Sequence, residues 1–375
     1  MPVKESNEIA LFRKYPPLKS IPYVKLAKFP TPVQRMDKVG AILGNPNIWI
    51  KRDDTCHPIY GGNKPRKYEF VMADALAKKK THAITTGGIG SNHVVANTIF
   101  GKELGIESYI YLFNQPLTKH CQINMLCDYH FGAHMYYTGN YVKTGLKMIW
   151  KMLTDRQAYL IMPGASTPRG SIGFVNAALE LAEQIQRGEL PEPDLLFVAI
   201  GSTGTCAGLT LGLILAGLKT KVIGISVTPK IVSKKSAVVG LAIKTLKMLR
   251  KIDPSIPDVS NEINNRLEVS HEFFGGEYGR ATYEGLEAIE LAAKDNIHLD
   301  VTYTGKTFSG LIAYCKENPQ AKTQIIIFWN TLNSVDLNPI ANQVDYRLIP
   351  KVFHKFFDGK IPIDEKAVYA RQTKA

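Results

Sequence analysis

A chain of 375 residues, 45% hydrophobic and 21% charged, is long enough for one large or two medium domains around a sizeable core. Its longest apolar stretch, near residues 209–218, contains glycines and is too short to span a membrane, and the first twenty residues hold no run of signal-peptide length; a soluble, cytoplasmic protein without membrane contact is expected. The net charge of +13 invites a nucleic-acid partner, but the basic residues are dispersed and carry no zinc-finger, RNP or helix-turn-helix signature, so none is expected.

Taken in chain order, short β-branched or aromatic runs alternate with longer helical patterns. Residues 48–51 read as a strand, 66–78 as a helix, 83–86 as a strand, 92–104 as a helix and 108–112 as a strand. A helix over 172–186, a strand over 195–200, a helix over 208–218 and a strand over 222–226 follow. Lys244, Lys247, Arg250 and Lys251 alternate with Leu241, Leu246 and Leu249 at the spacing of a helix with one wet and one packed face. A helix over 282–293 and a strand over 324–328 complete the series. Strand–helix alternation of this kind predicts an α/β architecture with mostly parallel sheets, whose ligand sits beyond the carboxyl ends of the strands. The segment from Asp358 onward is polar and is predicted to dock only loosely.

Five cysteines (Cys56, Cys121, Cys127, Cys206 and Cys315) are odd in number and lack C-x-x-C spacing. That excludes a disulfide framework and a structural zinc site, and no metal is expected.

Four loops carry chemistry. Gly61-Gly62-Asn63-Lys64-Pro65-Arg66-Lys67 opens the first helix: two glycines make the turn, and Pro65 suits the first helical position. A lysine held at a helix start has its ammonium form disfavoured, and the neutral amine is the nucleophile that imine chemistry needs. Thr85-Thr86-Gly87-Gly88-Ile89-Gly90-Ser91-Asn92-His93 is a second strand–turn–helix, with Ser91 or Asn92 as its cap. Gly201-Ser202-Thr203-Gly204-Thr205-Cys206-Ala207-Gly208 sets glycines and hydroxyls ahead of a helix, a nest for a phosphate that matches neither a dinucleotide fingerprint nor a P-loop. The fourth is Tyr303-Thr304-Gly305-Lys306, with Tyr278-Gly279 upstream and Trp329-Asn330-Thr331-Leu332-Asn333 downstream.

In this order and spacing the four loops, together with Lys51-Arg52-Asp53-Asp54, resemble the 1-aminocyclopropane-1-carboxylate (ACC) deaminase and D-cysteine desulfhydrase family, whose fold is the tryptophan-synthase-β-like fold (fold type II) of pyridoxal 5′-phosphate (PLP) enzymes. The resemblance runs from about Lys51 to Thr331. It implies PLP as cofactor, with Lys64 as the Schiff-base lysine that also moves protons at the substrate Cα. It implies Lys67 near the cofactor phosphate, Asn92 on the ring 3′-hydroxyl, Thr331 as a further cofactor contact, and Ser202, Thr203, Gly204 and Thr205 as the phosphate cup. Ser91, Tyr278 and Tyr303 fall at catalytic positions, and Ser91, Asn92, His93 and Thr304 at substrate positions. The family's ACC deaminases carry a glutamate and a leucine where this chain has Thr304 and Thr331, a pattern similar to that of D-cysteine desulfhydrases. A hydroxyl near the pyridine nitrogen would leave the ring a weaker electron sink, which suffices for expelling a thiolate.

Two departures stand out: Asn330-Thr331-Leu332-Asn333 replaces the family's His-Thr-Gly-Gly, and Gly90 replaces a glutamine, which predicts a wider site. The resemblance further implies a homodimer of two-domain subunits, with residues 1–66 and 175–375 forming the large domain and 67–174 a small inserted domain that closes over substrate. D-Cysteine is the expected substrate and ACC the alternative; a non-catalytic binding protein on this scaffold is the remote one.

Overall fold

The computed structural model describes residues 8–359, so the tail predicted to dock loosely lies, from residue 360, outside the described residues. Among the described residues, ten strands form two sheets. In chain order they are β1 (Val33–Arg35), β2 (Ile48–Lys51), β3 (His82–Gly88), β4 (Glu107–Phe113), β5 (His134–Gly139), β6 (Ala158–Leu160), β7 (Leu195–Ile200), β8 (Lys221–Ser226), β9 (Leu267–Ser270) and β10 (Ile326–Trp329). One sheet has the order β1-β2-β10-β7-β8-β9, the other β5-β4-β3-β6. Every pairing is parallel except that of β1 with β2. A parallel sheet covered by helices on both faces buries its strands completely, which is why β7 reads Leu-Leu-Phe-Val-Ala-Ile with all six residues buried.

The largest core joins the Pro168–Gln186 and Gly204–Ala216 helices to one face of the six-stranded sheet, through Phe174, Leu181, Leu209 and Leu213. The helices are close enough that a Cβ at Gly212 would come within 2.8 Å of the Val175 backbone. The Lys235–Ile252 helix is two-faced as its spacing requires, with Leu246 and Leu249 buried and Lys244, Lys247 and Lys251 exposed. In the four-stranded unit, helices Asn92–Leu104 and Lys119–His130 cover one face, and Tyr141–Thr154 packs on the other through Met148 against Ile84 and Tyr111. Ile349 and Phe353, near the end of the described chain, return to this unit and pack with Ile89 and Val94.

A buried ionic network ties the glycine turn around Lys64 to the large sheet. Arg66 donates to Asp53 Oδ1 at 2.7 Å and to Glu180 Oε2 at 2.9 Å, and Lys51 reaches Glu180 Oε1 at 2.7 Å. Trp329, at the end of β10, donates its indole N–H to Asp53 Oδ2 at 2.7 Å. Burial alone would raise the Glu180 carboxyl; the Arg66 and Lys51 cations beside it hold it instead at about 2. Lys64 and the loop after β10 are therefore mounted on one cross-braced unit.

Candidate active site

Lys64 is the first residue of the Lys64–Ala77 helix, with Pro65 in its first turn. Its Nζ donates to Asn63 Oδ1 at 2.8 Å. Burial disfavours the ammonium and lowers the pKa to about 8, against an opposing pull from Asp300. Burial, more than position at a helix start, thus prepares the amine. Gly62 (φ +81°) is needed where it stands: a Cβ there would lie 2.5 Å from the carbonyl oxygens of Thr331 and Leu332. The loop that lacks the family's two glycines still packs tightly on the lysine turn, and Asn333 Oδ1 accepts from Gly61 N–H at 2.8 Å.

Lys67, one turn further along the helix, is 1% exposed and reaches the Gly164 carbonyl at 3.0 Å and Ser166 Oγ at 3.3 Å. Among the described residues it has no carboxylate partner, and burial together with Lys64 pushes its pKa well down. A buried lysine facing only neutral oxygens is a position built for an anion, which would favour its charged form. The start of the Gly204–Ala216 helix converges on the same place: Gly204 N–H donates to Ser166 Oγ at 3.2 Å, Ser202 Oγ lies 2.8 Å from Ser166 Oγ, and Thr205 Oγ1 accepts from Asn63 Nδ2 at 3.1 Å. Thr203 adopts φ +67°, a conformation costly to a threonine, to turn the chain into that helix. Free backbone N–H groups, the helix dipole and Lys67 make a cup that fits a phosphate monoester.

Ser91 occupies the N-cap of the Asn92–Leu104 helix, yet its hydroxyl makes no capping bond and faces the cavity. Tyr278 and Tyr303 meet hydroxyl to hydroxyl, with their rings edge to face at 5.9 Å. Burial raises Tyr278 to about 12 and raises Tyr303 further, so both phenols are protonated at neutral pH. Lys64, Ser91, Asn92, Ser202, Thr203, Thr205, Tyr278, Tyr303 and Thr331 all border one cavity of about 560 Å³. Two further spaces share part of its lining: one of about 30 Å³ bordered by Lys64, Asn92, Tyr303 and Thr331, and a cleft of about 750 Å³ bordered by Asn92, Tyr278 and Tyr303.

Three expectations need correction. Thr304 borders none of these spaces: it is fully buried and its hydroxyl is bonded to Asp300, at 2.6 Å from Oδ1. Asp300 also accepts from the N–H groups of Thr302, Tyr303 and Thr304, so the pair forms the cap of the Thr304–Glu317 helix. His93 borders the cavity, but both ring nitrogens are engaged, by the Tyr68 hydroxyl at 2.9 Å and Thr85 Oγ1 at 2.8 Å; burial, with Lys64 and Lys67 nearby, keeps the ring neutral. Gly90 does not widen the site, because a Cβ there would lie 2.5 Å from Cys121 Sγ and 2.8 Å from Gln115 Nε2, side chains that fill the space from another element.

Sequence reasoning missed Ser166, Asp300, His120 and Gln115. Ser166 closes a Pro-Gly-Ala-Ser turn that a turn signal would have flagged, whereas the others carry no local signature and enter only by tertiary packing.

Fold and site together define a PLP-dependent enzyme of fold type II. The chain belongs to the pyridoxal-phosphate dependent enzyme family, whose sequence profile matches residues 24–329. It is similar to a D-cysteine desulfhydrase of Serratia proteamaculans, 32% identical over 317 residues that cover 77% of this chain and 89% of that one. A Pyrococcus furiosus protein provisionally named 1-aminocyclopropane-1-carboxylate deaminase is 32% identical over 310 residues, covering 80% and 89%. Among solved structures, an ACC deaminase homologue superposes with a TM-score of 0.72 at 28% identity, covering 87% of this chain and 95% of that one. Among the described residues no helix is long and apolar enough to cross a membrane.

Proposed function

We propose that the chain catalyses PLP-dependent α,β-elimination on a small amino acid, with D-cysteine as the leading substrate and pyruvate, sulfide and ammonia as products. The observation that carries this reading is the pairing of Lys64, buried and lowered to about 8, with Ser202, Thr203 and Thr205 in one cavity, behind whose Gly164 edge lies buried Lys67. In it, Ser202, Thr203, Gly204, Thr205 and Lys67 hold the cofactor phosphate, Lys64 anchors the cofactor, and Asn92 meets its ring oxygen. Bound PLP supplies a sink for the electron pair left at the substrate Cα. Lys64, as neutral amine, takes the Cα proton. Ser91, whose hydroxyl makes no capping bond, and the protonated Tyr278–Tyr303 pair hold the substrate and deliver a proton to the departing group.

The preference for a thiolate leaving group rests on the D-cysteine desulfhydrase relatives and on Thr331, which borders the cavity where ACC deaminases carry a leucine. Thr304 contributes by absence: no carboxylate stands at that position, and its hydroxyl is tied to Asp300. The relatives named for ACC keep ring opening as the second reading. The unit of residues 67–174 would close over the substrate, in a cytoplasmic homodimer.

Supplying D-cysteine, L-cysteine and ACC while measuring sulfide, pyruvate and 2-oxobutyrate separates the readings. Sulfide from D-cysteine is expected. Its absence sinks the leading reading, 2-oxobutyrate from ACC promotes the second, and silence on all three favours a binding protein on this scaffold.

A further inference from the structure

Asn92, like Tyr303, borders all three spaces: the cofactor cavity, the small space at Lys64 and the outer cleft. Two side chains that the proposed reaction does not use grip its amide. His120 Nε2 lies 2.7 Å from Asn92 Oδ1, and Asn124 Nδ2 lies 3.3 Å from the same oxygen. Both belong to the Lys119–His130 helix and, four residues apart, project from one face of it.

The orientation of this cluster follows from one main-chain group. Asn124 Nδ2 is 2.9 Å from the Gly90 carbonyl, which only accepts, so Asn124 must present its NH2 there. The same NH2 lies 3.3 Å from Asn92 Oδ1 and 3.1 Å from His120 Nε2. With Asn92 presenting its oxygen and His120 protonated at Nε2, both neighbours donate to that oxygen, and this is the arrangement that satisfies both contacts to Asn92. An amide whose oxygen is held on one side turns its NH2 to the other. Asn92 Nδ2 has no protein partner among the described residues.

We propose that His120 and Asn124 are positioning residues that lock the Asn92 amide with its N–H donors turned toward the cofactor, so that Asn92 donates to the ring oxygen of PLP and favours its ionised form. This rests on the assignment of Asn92 to that oxygen. Asn124 is fully buried and sets the direction, while His120, reached from the outer cleft, completes the grip.

The test uses PLP-loaded protein and two readouts besides turnover: the dissociation constant for PLP, and the pH midpoint of the bound cofactor's visible absorbance. His120→Leu removes the donor and is expected to weaken PLP binding about tenfold, one hydrogen bond to a charged acceptor, and to move the midpoint upward by about one unit. His120→Gln, which restores an N–H, is expected to return both toward wild type. Circular dichroism checks folding; if the Leu variant does not fold, His120→Ser, too short to reach Asn92, carries the same expectation. A folded Leu or Ser variant with wild-type affinity and midpoint overturns the proposal, as does a Gln variant no better than Leu. If the wild-type protein itself shows no Lys64-dependent visible absorbance with PLP, the cofactor assignment fails instead, a separate result.

Discussion

At the scale of single residues the site is governed by burial of charge. Burial penalises the Lys64 ammonium, so its pKa falls to about 8; below that pH the cation dominates, and above it the reactive amine. Capture of PLP by the apo-protein, followed by growth of visible absorbance, is therefore expected to accelerate with a midpoint near 8 and to vanish in Lys64→Ala. Visible colour surviving in that variant through another lysine would remove Lys64 from its role. Lys67 lacks an anionic partner, so the apo-protein carries a buried site that an anion stabilises. Inorganic phosphate is expected to raise the melting temperature of the apo-protein in scanning fluorimetry. In Lys67→Met that rise should be lost and PLP affinity should fall by about tenfold or more. An undiminished phosphate response would place the cup elsewhere.

At the scale of elements, the lysine turn is held by side chains remote from the chemistry. Arg66 and Lys51 share Glu180, and Asp53 joins Arg66 to Trp329. Removing one charge leaves its partners buried and unanswered, so Glu180→Gln is expected to lower unfolding free energy by about 3–5 kcal/mol in urea titrations. A loss below about 1 kcal/mol would show that the network is not the brace described. The Tyr141–Thr154 helix is the opposite case. Leu146, Ile149, Trp150 and Leu153 are between 59% and 78% exposed, and its inward contacts centre on Thr144 and Met148. Trp150→Ser is accordingly expected to change stability by no more than about 0.5 kcal/mol, read in the same titration.

At the scale of the whole molecule, two mostly parallel sheets both contribute to the cavity, through Thr86 and Phe113 of the four-stranded sheet and Ala199 of the six-stranded one. The chain crosses between the two sheets at the Lys64–Ala77 helix and again at the Pro168–Gln186 helix, and these two helices pack on each other, where a Cβ at Gly173 would lie 1.9 Å from the Arg66 carbonyl oxygen. Phe353 and Ile349 return the end of the described chain to the four-stranded unit, adding a further tie between them. A homodimer remains the expected assembly, and sedimentation of the purified protein should give about twice the 41.6 kDa chain mass.

The sequence by itself determined the α/β class, the strands Ile48–Lys51 and Leu195–Ile200 and the Asn92–Leu104 helix, and it singled out Lys64, Asn92, Ser202 and Tyr303, which border one cavity. Periodicity and glycine turns are local properties, and the ordered motifs tie each loop to a place in the fold. The helices Lys119–His130 and Tyr141–Thr154 escaped that reading because polar and apolar residues are mixed on the first and the second turns its apolar stripe outward. Only the tertiary structure decided where side chains end: Thr304 on Asp300, His93 between Tyr68 and Thr85, Gln115 and Cys121 beside Gly90, and His120 on Asn92. These are contacts between segments far apart in the chain or choices among hydrogen-bond partners, and neither is written in residue spacing.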